Sequence, residues 1–317
     1  MKRAFLPLLL CAVALAILAV LPQFLSSYYV GLMALVLIFA LFALSLDLLL
    51  GHGGLPSLGH AASFGTAAYV AGFLALKLAS TNFLLNFAIA ISAGAAIAAV
   101  FGLLALRTRG VYFLMITLAL SQVLWALAWK WKSATGGDDG MPGVPRPNLG
   151  FLPWDLAHVN SYFYFTLVIF VIACILMYLL IRSPFGHSLR GIRESESRMM
   201  ALGYNVWAYQ YAAFILAGAF AGLAGILFVY YNNMVSPHEL HLVTSAKVLL
   251  MVILGGTGTF LGPILGAALI VLLENTVSGF TERWTLVLGI IYVLVIMLAP
   301  KGLLGPLKGK LRRWLPV

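Results

Sequence analysis

The sequence has little charge. Of its 317 residues only 9% are Asp, Glu, Lys or Arg, whereas 63% are hydrophobic, and the mean hydropathy is +1.04. A soluble globular protein carries about 25% charged and about 45–50% apolar residues. An apolar excess of this size does not fit inside one water-soluble core. The composition therefore excludes a soluble globular protein and indicates that the bilayer is the solvent.

The sequence also lacks the motifs that carry chemistry. Its two cysteines, Cys11 and Cys174, lie inside apolar runs, where a thiol is most often a packing residue. It has no Walker sequence of the form Gly-x4-Gly-Lys-Ser/Thr, no Cys/His metal spacing, no Gly-x-Ser-x-Gly elbow and no His-Glu-x-x-His pair. We therefore predict that the chain is not an enzyme, binds no metal or cofactor, and hydrolyses no ATP by itself.

Long apolar runs are what the sequence has in abundance. Because one span needs about 20 apolar residues, the pattern predicts an all-α integral membrane protein, a single domain over 1–317 with about ten transmembrane helices. The predicted spans are 5–21, 30–50, 57–76, 86–106, 111–129, 161–181, 208–230, 244–255, 259–275 and 284–299. The eighth is short, and a glycine-rich break at 255–258 follows it, which leaves open whether it is a half-helix or a tilted span.

The distribution of basic residues predicts the orientation. With the N-terminus inside and ten spans, 13 of the 19 Lys and Arg residues lie inside. The chain is then predicted to be multi-pass with both termini cytoplasmic. Residues 130–160 form a periplasmic loop, 182–207 a cytoplasmic loop, and 300–317 a basic cytoplasmic tail against anionic lipid headgroups. The net charge of +10 is thus a topology signal, and we expect no nucleic-acid partner.

The cytoplasmic loop contains a predicted amphipathic helix over 189–203. Ser183 and Pro184 are typical of a helix start, and Gly203 is typical of a helix end. The apolar stripe consists of Leu189, Ile192, Met199 and Leu202. Such a stripe suits docking into a groove of a cytoplasmic partner. The alternative is a headgroup-bound loop whose arginines only determine topology.

Three motifs carry a resemblance to a known family. Arg193-Glu194-x-Glu196 followed by Ala201-Leu202-Gly203 resembles the coupling loop of bacterial ABC importer permeases. The stretch from Gly51 to Tyr69 and the loop Thr135 to Pro147 resemble segments of branched-chain amino-acid ABC permeases, of the LivM type. The resemblance extends from about 30 to 305. It implies that the ATPase-coupling residues are Arg190, Arg193, Glu194, Glu196, Ala201 and Gly203.

Glycines between the second and third spans mark a candidate translocation path. Irregular backbone at membrane depth occurs where protein or a water-filled cavity satisfies it. A following helix start has amide groups suited to a carboxylate. The path candidates are Gly53, Gly54, Ser57, Gly59 and His60. The alternative is a tight inside turn with a helix cap, in which His60 is bonded between helices.

The periplasmic loop is the longest predicted outer segment, and its Gly, Pro and Asp residues predict successive turns. We expect it either to dock a binding protein or to form a structural cap over the bundle. The docking candidates are Gly136, Gly137, Asp138, Asp139, Gly140 and Arg146.

Acidic residues within the spans are scarce, and small residues recur along several of them. Asp47 and Glu274 lie near span ends and are predicted as half-solvated anchors, with a functional role within the membrane as the alternative. Small-x-x-x-small stripes at 94–102, 218–222 and 258–266 predict close helix packing. The lack of a carboxylate cluster at mid-membrane argues against an ion-coupled secondary carrier, although that alternative and an intramembrane enzyme stay open.

The resemblance implies a permease subunit of an ATP-driven importer for leucine, isoleucine or valine. Related permeases carry urea, amides and other small solutes, so the substrate stays open. The implied partners are a second homologous permease, two cytoplasmic ATPases that use ATP and Mg²⁺, and a periplasmic substrate-binding protein, with membrane lipid around the spans.

Overall fold

The computed structural model describes residues 17–78, 83–147 and 155–280, with single positions 283, 286, 289, 290, 293 and 297. Most of the predicted spans 5–21 and 284–299, and all of the tail 300–317, lie outside the described residues. Within them the chain is almost entirely helical, which confirms the all-α class.

Eleven α-helices and one pair of short strands are named along the described residues. The helices are α1 (Ser27–Asp47), α2 (His60–Leu76), α3 (Phe83–Ala105), α4 (Val111–Lys130), α5 (Lys132–Thr135), α6 (Val159–Arg182), α7 (Pro184–Glu194), α8 (Glu196–Ala201), α9 (Val206–Asn232), α10 (Leu242–Gly255) and α11 (Gly262–Ser278). A π-helical turn, Leu48–His52, continues α1. The strands β1 (Met141–Pro142) and β2 (Met234–Val235) pair antiparallel, with Met141 opposite Val235.

Length and composition separate the apolar helices into two groups. Among the described residues, α1 with its π turn, α3, α4, α6 and α9 are long and apolar enough to cross a membrane. Helices α2, α10 and α11 are apolar but shorter. These eight helices correspond to the second to ninth predicted spans, although α2 begins at His60 instead of residue 57. The prediction of about ten spans is compatible with them.

Helix α1 forms the centre of the bundle. Nearly all its side chains after Val30 are buried, and it packs against α6, α9, α10 and α11. Helices α2, α3 and α9 pack together beside it. A Cβ on Gly218 of α9 would lie only 2.2 Å from the Ala98 Cβ of α3, and one on Gly266 of α11 only 1.9 Å from the Met251 carbonyl oxygen of α10. The predicted close packing at the glycine stripes is confirmed.

The two ends of the bundle are built differently. At the end predicted to be outer, β1 and β2 connect the loop after α4 to the end of α9. At the end predicted to be inner, α7 and α8 lie against the connections after α1, α3 and α10. We call these the outer and inner ends, as the Lys/Arg distribution predicts.

The predicted single helix over 189–203 is wrong. The structure has two helices, α7 and α8, separated at Ser195, whose backbone is extended (φ −164°, ψ 104°). The Ser195 hydroxyl accepts a hydrogen bond from the Arg198 amide and so begins α8 (3.4 Å). The break divides the predicted apolar stripe, because Leu189 and Ile192 are buried whereas the Leu202 side chain is 72% exposed.

Candidate functional site

The buried carboxylate of Asp47 joins two distant segments at the inner end. Its Oδ1 accepts a hydrogen bond from the amide of Gly258, in the connection between α10 and α11, at 2.8 Å. The side chain is 2% exposed, so the prediction of a half-solvated anchor is wrong. A carboxylate removed from water needs hydrogen-bond donors and opposite charge. The structure supplies the Gly258 amide and a neighbouring histidine.

That histidine, His52, connects Asp47 to the cytoplasmic loop. Its Nδ1 lies 3.5 Å from the Asp47 Oδ2, and its Nε2 lies 3.3 Å from the Arg190 Nη2 of α7. Because a guanidinium only donates, the His52 Nε2 accepts from Arg190, and Nδ1–H then donates to the main-chain carbonyl oxygen of Asp47 (3.2 Å), beside its carboxylate. His52 is 2% exposed. The π-helical turn places its ring between the carboxylate and α7.

A second arginine of α7 binds the same turn. Arg193 donates a hydrogen bond to the Gly51 carbonyl oxygen. Its Cγ would lie only 3.0 Å from a Cβ on Gly54, whose φ of +71° favours glycine. We call Asp47, Gly51, His52, Arg190, Arg193 and Gly258 the inner junction.

At the inner junction, partial burial is the largest influence on the pKa of Arg190. Burial lowers the pKa of Arg190 from its ordinary value. The nearby guanidinium of Arg182 lowers this pKa further, whereas the Asp47 carboxylate raises it. Asp47 therefore offsets part of the repulsion among the arginines and holds α7 against the end of α1.

The path candidates lie in contacts within the bundle. The Ser57 hydroxyl accepts a hydrogen bond from the Gly59 amide (3.2 Å). The His60 Nε2 lies 2.7 Å from the Ser45 Oγ, and its ring stacks on Phe42. The Ala61 amide, at the start of α2, donates to the Ser245 hydroxyl of α10. These contacts fit the alternative of a capped turn with a bonded histidine, and a role in the path stays a prediction.

Of the remaining coupling candidates, Glu196 lines a cleft on the inner surface. The Glu196 carboxylate of α8 accepts a hydrogen bond from Gln210 of α9 (2.9 Å) and pairs with Arg109 after α3 (3.2 Å). Beside this pair is a cleft of about 320 Å³, lined in part by Pro56, Met200 and Trp207. Glu194, Ala201 and Gly203 are exposed. The predicted helix end at Gly203 is confirmed, since its φ is +84°.

At the outer end the glycines form the predicted turns. Gly136, Gly137 and Gly140 all have positive φ, and Asp138 and Asp139 are exposed on the turn between them.

Arg146 differs from the other docking candidates because it binds inward. It donates to the carbonyl oxygens of Tyr230 (3.1 Å) and Leu156 (2.9 Å), and its guanidinium lies over the Tyr162 ring. Arg146 therefore stabilises the loop, while docking by the two aspartates stays a prediction.

Sequence reasoning missed His52 and Gly258 as partners of Asp47. The signal available was a histidine five residues after an aspartate, at the end of an apolar run and before glycines. Among the described residues, no group of three His, Cys, Asp or Glu side chains is placed to hold a metal ion.

Comparison with known proteins completes the observations. Residues 28–299 match the family described as branched-chain amino acid transport system / permease component. The chain belongs to this family. It is therefore a membrane permease, a component of a transporter rather than an enzyme, and the resemblance seen in the sequence is confirmed.

Several curated proteins are similar to this permease. It is 30% identical to the high-affinity branched-chain amino acid transport system permease protein LivM of Escherichia coli (strain K12), over 95% of this chain and 76% of the relative. It is 29% identical to the LivM protein of Salmonella typhimurium, over 92% and 73%. The LivH permease protein of Escherichia coli (strain K12) is 26% identical over 39% of this chain and 40% of its own length. No solved structure matches the chain.

Proposed function

We propose that this permease carries branched-chain amino acids inward across a bacterial inner membrane as part of an ATP-driven importer. Its partners are a second homologous permease, two cytoplasmic ATPases and a periplasmic binding protein. The names of the LivM and LivH relatives support the substrate and the paired permeases. The chain itself binds no cofactor, and ATP and Mg²⁺ are used by the ATPases.

The inner junction is the observation that carries the mechanism. Arg190 and Arg193 bind α7 to the end of α1, and Asp47 binds that end to the α10–α11 connection. A displacement of α7 is therefore passed to two buried segments of the bundle. When the ATPases close, α7 and α8 move with them, and the bundle changes the side to which its central path opens.

The exposed rim of the cleft beside α8 completes this mechanism. Met200, Leu202 and Trp207 expose large apolar side chains there, and contiguous exposed apolar surface is typical of a protein contact. We assign this rim to the ATPase. The Arg109–Glu196 pair then lies between the partner and α9.

The proposed function is tested by reconstitution with the four partner subunits in proteoliposomes. We expect ATP-dependent uptake of labelled leucine that requires the binding protein and persists with an ionophore. Excess unlabelled isoleucine or valine should compete, and urea should not. Uptake that needs no ATPase and disappears with the ionophore would instead identify an ion-coupled carrier.

The proposed orientation is tested with single cysteines. In a background with Cys11 and Cys174 replaced by alanine, Ser133→Cys on α5 and Ser197→Cys on α8 lie at exposed positions at opposite ends of the bundle. An impermeant maleimide added from the periplasmic side should label only Ser133→Cys, because residues 130–160 are outside and 182–207 inside. Labelling of both positions from that side would contradict the orientation.

The proposed docking role of the outer loop predicts a change in stimulation. Replacing Asp138 and Asp139 by alanine removes two exposed carboxylates without touching a buried contact. We expect the loaded binding protein to need a several-fold higher concentration for half-maximal stimulation of ATP hydrolysis, because charge pairs at such a surface contribute to association. Basal hydrolysis should not change. Asp155→Ala, which removes an exposed carboxylate from the far end of the same loop, outside the glycine turn, is the matched control.

An unchanged half-saturating concentration in the double variant would exclude docking through these aspartates. The loop would then be a structural cap, the role that the inward contacts of Arg146 already indicate.

A further inference from the structure

Two oppositely charged side chains meet within the apolar helices. Lys247 of α10 pairs with Glu274 of α11, and the Lys247 Nζ lies 4.4 Å from the ring centroid of Phe39 on α1. We call Lys247 and Glu274 the intramembrane ion pair. It lies where α1, α10 and α11 pack together, away from the inner junction.

The predicted orientation places the ion pair in the outer half of the bilayer. Tyr28 is near the outer end of α1, where tyrosine is typical of the membrane interface, and its hydroxyl accepts a hydrogen bond from Asn275 of α11. Phe39 is eleven residues further along α1, about 16 Å at the rise of an α-helix. The hydrocarbon region is about 30 Å thick. Lying between the levels of Tyr28 and Phe39, the pair has left the aqueous surface.

The described residues do not fully enclose the ion pair. The Lys247 side chain is 19% exposed and that of Glu274 is 28% exposed. Ionised side chains facing lipid are strongly disfavoured, and those inside membrane proteins usually face a bundle interior or a water-filled cavity. The Tyr28–Asn275 hydrogen bond continues the polar surface toward the outer end.

We propose that the intramembrane ion pair binds the charged groups of an amino acid in transit. Lys247 binds the α-carboxylate and Glu274 binds the α-ammonium group. This assignment rests on the proposed function and deepens it, because it names the zwitterionic head group as what the site recognises.

Charge balance supports this assignment. The ligand and the site each carry one positive and one negative charge. Binding therefore replaces the Lys247–Glu274 pair by two ion pairs with the ligand and adds no net charge to the membrane. An uncharged solute such as urea compensates neither side chain. A ligand with one charge leaves the opposite side chain uncompensated where water is excluded.

The site predicts a binding preference that needs no variant to measure. With the complete transporter in lipid nanodiscs, without binding protein, the affinity for leucine is compared with two analogues by competition. These are 4-methylpentanoate, which lacks the ammonium group, and 3-methylbutylamine, which lacks the carboxylate. We expect each to bind about tenfold or more weakly than leucine, as for loss of a charged hydrogen bond. Equal affinities would overturn the proposal.

Two variants then assign each group. Glu274→Gln should weaken leucine binding about tenfold without weakening that of 4-methylpentanoate, whose carboxylate still compensates Lys247, and Lys247→Met should likewise spare 3-methylbutylamine. Lys77→Met, which removes an exposed lysine after α2, is the matched control. If the affinity for all three ligands fell equally, or if the second permease dissociated, the pair would have a structural or interface role. Either result would overturn the proposal.

Failure of this site and failure of the proposed function give different results. If wild-type proteoliposomes take up urea but not leucine, the proposed function itself is wrong. If they take up leucine and both variants bind and transport it as wild type does, only the assignment of Lys247 and Glu274 is wrong.

Discussion

Replacing Gly51 by alanine is expected to abolish amino-acid uptake while the partner subunits still hydrolyse ATP. A Cβ at this position would lie 2.0 Å from the Asp47 Oδ1 and 2.3 Å from the Gly258 amide nitrogen. The Gly258 nitrogen is a backbone atom and the Asp47 carboxylate is held by its hydrogen bond to it, so the Asp47–Gly258 hydrogen bond has to open or the α10–α11 connection has to move. Overpacking of this kind costs about 1–3 kcal/mol, and about 1.4 kcal/mol is a tenfold change.

The measurement is ATP-dependent uptake in proteoliposomes beside ATP hydrolysis by the same preparation. Gly279→Ala, just after α11, is the matched control, because its φ of −74° suits any residue and, among the described residues, its Cβ would meet the Thr276 and Asn275 carbonyl oxygens at ordinary contact distances of 3.4 and 4.0 Å. We expect the control to transport normally. Wild-type uptake by Gly51→Ala would show that the inner junction adjusts freely and does not transmit motion.

The second large effect is expected for Arg193→Met. Methionine keeps a long side chain beside Gly54 but has no donor for the Gly51 carbonyl oxygen. A buried acceptor left without its donor costs about 1–3 kcal/mol. Because the same bond joins α7 to the end of α1, its loss should separate ATPase movement from the bundle. We expect at least about a tenfold fall in leucine transported per ATP hydrolysed.

A control variant at a second arginine distinguishes the loss of coupling from the loss of a positive charge. Arg107 is also on the inner surface, is exposed, and lies in the connection after α3. Arg107→Met removes the same charge and should keep the wild-type ratio of uptake to hydrolysis. The two variants are compared as assembled complexes of equal purity. If Arg193→Met lost uptake and hydrolysis in proportion, the residue would serve assembly instead of coupling.

Some of the inner junction was visible in the sequence, and some was not. Arg190 and Arg193 were among the coupling candidates because they lie in the cytoplasmic loop, but their contacts turn toward α1. Asp47 was taken for a half-solvated anchor because it lies near the end of a span. That inference used only the position of Asp47 near the end of a span. Its burial depends on the α10–α11 connection, which packs across that end of α1.

The split of the cytoplasmic helix has a similar origin. Apolar spacing over 189–203 fits one helix, and helix propensity does not forbid it. At Ser195, however, the side chain satisfies the Arg198 amide and begins a second helix, since serine competes for backbone groups in this way. Glu196 then turns toward Gln210, a contact between α8 and the span that follows.

The amino-acid sequence is enough to predict that the bilayer is the solvent, that the fold is all-α, where the spans approximately lie, and which family the chain resembles. The first three follow from composition and from the length of apolar runs, because in a bilayer the backbone groups of each span have to be satisfied within a helix, whereas the family follows from the resemblance carried by the three motifs. Only the tertiary structure decided which charges meet. Gly258 and Asp47 are 211 residues apart, and Arg193 and Gly51 are 142 apart. Such pairs depend on how close two helices approach and on which face each presents, and local sequence patterns specify neither.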